Sequence, residues 1–146
     1  MTLDHLGVAV ERLEASLAYY REDLGYSWDG IIIVDPLQQA RAAFVRPPEG
    51  GIRFELLEPT GPESPLNGWL KRRTRFFHVC YLVDDLPQAL ERFVARGGRI
   101  VSEPKPAVAF QGRCVAFVFT RDQELIELAE AAPAPAVSQE AVHGRG

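Results

Sequence analysis

Residues 75–83 read R-F-F-H-V-C-Y-L-V, an apolar run that carries a single imidazole. Strand alternation sets Phe76, His78, Cys80 and Leu82 on one face and Phe77, Val79, Tyr81 and Val83 on the other. Residues 3–10, L-D-H-L-G-V-A-V, follow the same plan, with Leu3, His5, Gly7 and Ala9 against Asp4, Leu6, Val8 and Val10. His5 and His78 stand 73 positions apart, and so do the stretches Val10-Glu11-Arg12-Leu13 and Val83-Asp84-Asp85-Leu86. Phe54-Glu55-Leu56 and Ile126-Glu127-Leu128 stand 72 apart. A repeat of that length is the duplication of a whole supersecondary unit, not a solenoid.

Between the repeated strands the chain punctuates itself. Glu11 to Leu24 carries Leu13, Leu17, Tyr20 and Leu24 at helical spacing, and Gly25 stops it. Strands are expected at Gly30–Val34, Gln39–Arg46 and Ile52–Glu58, with a hairpin loop of Pro47-Pro48-Glu49-Gly50-Gly51. The second half repeats the plan: a helix over Leu86–Arg96 ended by Gly97-Gly98, then strands at Arg99–Ser102, Arg113–Thr120 and Glu124–Ala129, with a loop over Glu103–Gly112. This is an α+β chain of two βαβββ modules, one over residues 1–60 and one over 75–130, joined by a linker at 61–74. From Ala131 the Ala/Pro-rich residues 131–146 lose periodicity and read as a mobile tail, which leaves His143 without a ligand's role.

The bulk numbers bound the function. At 146 residues the chain forms one domain large enough for a real core, and 47% hydrophobic with 25% charged residues is ordinary for a globular protein. A net charge of -4 argues against a dedicated nucleic-acid binder. There is no membrane-length apolar run and no signal-like start, so the expected address is cytoplasmic. Cys80 and Cys114 fall inside apolar strands and read as free thiols, Cys80 on the His78 face where it would line a cavity. The basic cluster Lys71, Arg72, Arg73 and Arg75 reads as a solvated connector, with attraction for a coenzyme's phosphates as the functional alternative.

The exceptional residues are the acids inside strands. Glu55 sits between apolar neighbours and needs a partner, and Glu127 repeats the exception in the second half. Fifty residues separate His5 from Glu55 and 49 separate His78 from Glu127, so each module supplies one imidazole and one carboxylate. If the modules pair about a pseudo-twofold axis, the four converge. Imidazole with carboxylate suits a divalent first-row ion such as cobalt, manganese, nickel, iron or zinc, with positions left for substrate.

The strings L-D-H-L-G-V-A-V, G-I-R-F-E-L-L-E-P, E-S-P-L-N-G-W-L, F-H-V-C-Y-L-V-D-D-L and L-I-E-L resemble the vicinal oxygen chelate superfamily, which includes glyoxalase I, extradiol dioxygenases and bleomycin resistance proteins. Their order is most similar to the methylmalonyl-CoA epimerase branch, over about residues 2–130. The resemblance implies a curved mixed sheet and metal ligands at His5, Glu55, His78 and Glu127. It further implies an isomerase that stabilises the enolate of an acyl thioester, with Glu127 or Glu55 as acid/base. A small-molecule substrate, an acyl-CoA or a carrier-bound acyl thioester, and a homodimer follow from the same resemblance. A glyoxalase-type lyase and an antibiotic-sequestering protein are the alternative members. Two features depart from the branch: Phe77 precedes His78 where relatives carry a second histidine, and Arg121-Asp122-Gln123-Glu124 replaces a glycine-rich turn. Residues 38–48 also hold no carboxylate to act as a second base.

Overall fold

The computed structural model describes residues 1–135; residues 136–146, His143 included, lie outside the described part. The first half runs β1 (Thr2–Ala9), α1 (Leu13–Ala18), β2 (Ser27–Trp28), β3 (Ile33–Asp35), β4 (Ala40–Arg46) and β5 (Arg53–Pro59). A short helix α2 (Leu66–Lys71) leads to β6 (Phe76–Val83), α3 (Leu86–Ala95), β7 (Arg99–Pro106), β8 (Cys114–Phe119) and β9 (Leu125–Glu130). The strands form one mixed sheet in the order β2-β4-β5-β1-β6-β9-β8-β7, with β3 paired to β4. This is the glyoxalase-type fold. Strands β1 and β6 meet antiparallel at its centre, and each has its own module's last strand, β5 or β9, parallel on its other side.

Helices α1 and α3 are each anchored by an acid. Leu13 N donates to Glu58 Oε2 at 2.6 Å, so a carboxylate from β5 serves the start of α1. Helix α1 therefore begins two residues later than its periodicity predicts. It then widens into a π-helical turn at Tyr19–Asp23, where Leu24 N reaches back to Tyr19 O. Asp85 caps α3 by accepting from Gln88 N at 2.9 Å, and Gly97 at φ +87° takes the left-handed position that ends it. Leu13 and Leu17 of α1, and Leu86 and Leu90 of α3, are buried against the convex face. Each such side chain stabilises the fold by about 1.5–3 kcal/mol.

Three boundaries differ from the periodicity. Residues 30–32 are not in a strand, because Gly30 turns at φ +83° and Asp29 accepts from Ile31 N in a local turn, so β3 starts at Ile33. Strand β7 runs on to Pro106, past the expected end at Ser102, with register slips that pattern counting does not foresee. The expected linker at 61–74 contains α2, whose Leu66 is buried.

Asp35 ties the two ends of the sheet together. Its Oδ1 accepts from Leu37 N and Gln38 N, both at 3.1 Å, and its Oδ2 accepts from Val108 N at 2.9 Å in the 3₁₀ turn Val108–Phe110. A first-module turn is thus held to a second-module turn, and the sheet curls around an enclosed concave face. No helix among the described residues is long and apolar enough to cross a membrane.

Candidate metal centre

The four candidate ligands come together at the middle of that concave face. His5, Glu55, His78 and Glu127 project from β1, β5, β6 and β9, four adjacent strands, and all four are buried. The register explains the convergence: Gly7 lies opposite both Glu55 and His78, and Cys80 lies opposite both His5 and Glu127. The local twofold between β1 and β6 therefore brings each histidine level with a glutamate. The near-equal spacings of 50 and 49 residues are its trace in the sequence.

His5 Nε2 stands 3.0 Å from Glu55 Oε2, 3.3 Å from Glu127 Oε2 and 3.0 Å from His78 Nε2. His78 Nε2 stands 2.8 Å from Glu127 Oε2 and 3.6 Å from Glu55 Oε2. Glu127 Oε2 is thus within 3.3 Å of both imidazole Nε2 atoms. One donor atom from each residue lies within 4.8 Å of all the others. Ligands about 2.1 Å from a shared ion lie about 3 Å apart at right angles, so spacing and donor chemistry both fit a divalent metal.

The electrostatics agree with a site built for charge. Burial opposes a charge on His5, but the Glu55 carboxylate and a hydrogen bond to Asp4 hold its pKa well above the ordinary imidazole value. Burial likewise opposes a charge on Glu127, and the field of His78 with a hydrogen bond from His5 outweighs it, leaving the carboxyl below its ordinary range. Burial, then the Glu127 charge, push the Cys80 thiol far up.

Strand alternation misplaces two groups here. Register slips between Leu3 and His5 and at Gly7/Val8 break the pleat, leaving Leu3 and Phe76 exposed while Phe77 turns inward. Cys80 shares the face of His78 as expected, yet it lines no open space: Ala107, Phe110, Val115 and Ala129 close over it. Asp4, predicted to face away from His5, instead touches it, with Oδ2 2.7 Å from Nδ1. The only sequence signal for Asp4 is its place beside a candidate ligand.

A cavity of about 580 Å³ lies beside the cluster, lined by neighbours of the four residues and by none of the four themselves. Leu57 and Leu125 line it two positions from Glu55 and Glu127 on the same strand faces, and Phe77 and Phe117 stand edge-on to His78 at 5.0 and 5.4 Å between ring centres. Its outer wall carries Gln38 and Lys105. A mostly apolar cavity beside buried charged groups suits a substrate with a polar reacting end.

Comparison with known proteins agrees with this geometry. The profile of the Glyoxalase/Bleomycin resistance protein/Dioxygenase superfamily matches residues 4–117. Ethylmalonyl-CoA/methylmalonyl-CoA epimerase of Cereibacter sphaeroides is 32% identical over 122 residues, which is 82% of this chain and 89% of that protein. The mitochondrial methylmalonyl-CoA epimerase of Bos taurus is 32% identical over 133 residues, 88% of this chain and 74% of that protein. Among solved structures, methylmalonyl-CoA epimerase from Mycobacterium tuberculosis superposes with a TM-score of 0.76 at 27% identity, covering 90% of this chain and 89% of that one.

Proposed function

The chain belongs to the glyoxalase/bleomycin resistance protein/dioxygenase superfamily, and we propose that it is a metal-dependent epimerase of a methylmalonyl-CoA-like acyl thioester. The observation that carries this reading is the convergence of His5, Glu55, His78 and Glu127 beside an apolar cavity. The similarity to named epimerases supplies the substrate class.

His5, Glu55, His78 and Glu127 would hold the ion. When bound, a divalent metal supplies Lewis-acid stabilisation of the enolate that forms when the α-proton leaves. Epimerisation needs an acid/base group on each face of that enolate. Glu55 arrives from β5 and Glu127 from β9, on opposite sides of the histidine pair. In this assignment the carboxylate that takes the α-proton becomes a carboxylic acid, and the other group, which enters the reaction as the carboxylic acid, gives its proton to the opposite face and becomes a carboxylate. Residues 38–48 hold no carboxylate to compete for either role. The aromatic and aliphatic lining excludes water, which strengthens each charged contact.

The same reading treats residues 1–130 as one domain, with modules at 1–60 and 75–130 and a linker at 61–74, because each module gives one histidine and one glutamate. A cytoplasmic setting also belongs to it, carried by the sequence's lack of a membrane-length apolar run and signal-like start, and a homodimer, carried by the family resemblance. The test is deuterium exchange into methylmalonyl-CoA in heavy water, using protein stripped by chelator and reloaded with cobalt, manganese, nickel, iron or zinc. Exchange that depends on reloading is the expected result. An α-proton that stays in place with every metal sinks the epimerase reading.

A further inference from the structure

The two imidazoles of the cluster are not held alike. His5 Nδ1 is 2.7 Å from Asp4 Oδ2, and the same oxygen accepts from Arg53 Nη2 at 2.8 Å. Arg53 is fixed in turn, its guanidinium 3.9 Å above the ring of Phe44, which stands edge-on to His5 at 5.2 Å. Arg53 and His5 are register partners on the parallel pair β1–β5, so the backbone itself brings the cation alongside. In the other half, His78 Nδ1 is buried and has no hydrogen-bond partner among the described residues. The residue 73 positions after Asp4 is Phe77, which offers His78 only a ring edge. Duplication preserved the donors and left their supports unequal.

We propose that Asp4, held by Arg53, is a positioning residue that anchors His5 and makes the metal centre asymmetric. By accepting the Nδ1 proton, Asp4 turns the Nε2 lone pair toward the cluster and fixes the ring plane. His78 lacks such a partner and is the adjustable donor of the pair. The register slip between Leu3 and His5 makes the contact possible, since neighbouring residues on a regular strand point apart. This inference rests on the metal-binding part of the proposed function.

The test measures zinc(II) affinity by competition with a chromophoric chelator, in wild type and in Asp4→Asn, with Asp4→Glu as the conservative variant. Asp4→Asn is expected to bind zinc about 10- to 100-fold more weakly, and Asp4→Glu to recover part of the loss. In zinc-loaded wild type, a far-downfield imidazole proton bonded to a carboxylate is expected, and Asp4→Asn should lose it. A purely structural role for Asp4 would not remove that resonance while the fold persists. Should Asp4→Asn fail to fold, Arg53→Gln is titrated in its place and is expected to weaken zinc binding as well. Affinity unchanged in the folded variant overturns the anchoring role alone. Wild type that binds no zinc overturns it together with the metal-binding reading.

Discussion

Gly7 and His78 face each other across the β1–β6 pair so closely that a Cβ on Gly7 would fall within 3.0 Å of Cε1, Nδ1 and Nε2 of the imidazole. The missing side chain is the space in which the ring lies. Gly7→Ala should therefore drive His78 out of the cluster while costing about 1–3 kcal/mol of stability. Folded protein with at least 10-fold weaker metal binding, read by chelator competition, is the expected outcome. Full affinity would mean that β1 retreats instead.

Glu127 and Glu55 are assigned to opposite faces of the substrate, so their amides should not behave like a general loss of the site. Glu127→Gln and Glu55→Gln should each lower epimerisation by about 10²–10⁴-fold. At least one of them should still exchange deuterium into a single epimer, which mass spectrometry of each purified epimer would reveal. Loss of exchange from both epimers in both variants would leave the two-face assignment unsupported.

Asp35 is buried and accepts three backbone N–H groups, two in its own turn and one, from Val108, across the module boundary. Hydrogen bonds to a charged group contribute about 1.5–3 kcal/mol each, and their losses overlap. Asp35→Ala should cost about 3 kcal/mol in urea unfolding and loosen the turn that carries Gln38. A change below about 1 kcal/mol would show that the two turns stay docked by packing alone.

Cys80 is fully buried, with its thiol pKa pushed far up, whereas Cys114 is partly exposed. Because the thiolate is the reactive form, iodoacetamide should label Cys114 in the native protein and reach Cys80 only on unfolding. Peptide mapping distinguishes the sites. Native labelling at Cys80 would mean that the lid formed by Phe110 and Ala107 opens on the labelling timescale.

Much of the fold and most of the site could be read from residues alone. The duplicated histidine and glutamate, at near-equal spacing inside apolar strands, pointed to the repeated unit and to the four side chains that converge, because a buried charge must be partnered and a repeated exception is seldom accidental. Pleat, caps and turn glycines followed from local stereochemistry, which needs only neighbours in sequence. What tertiary structure alone decided depends on pairing between distant strands. The slips in β1 and β6 that turn Phe77 inward and bring Asp4 onto His5 arise from how those strands meet across the twofold. No alternation count contains that register. The same holds for the close fit of Gly7 under His78, the closure over Cys80 and the Asp35 bridge. Each is a contact between residues about 30 to 73 positions apart, set by three-dimensional packing, which a linear pattern records only after it is known.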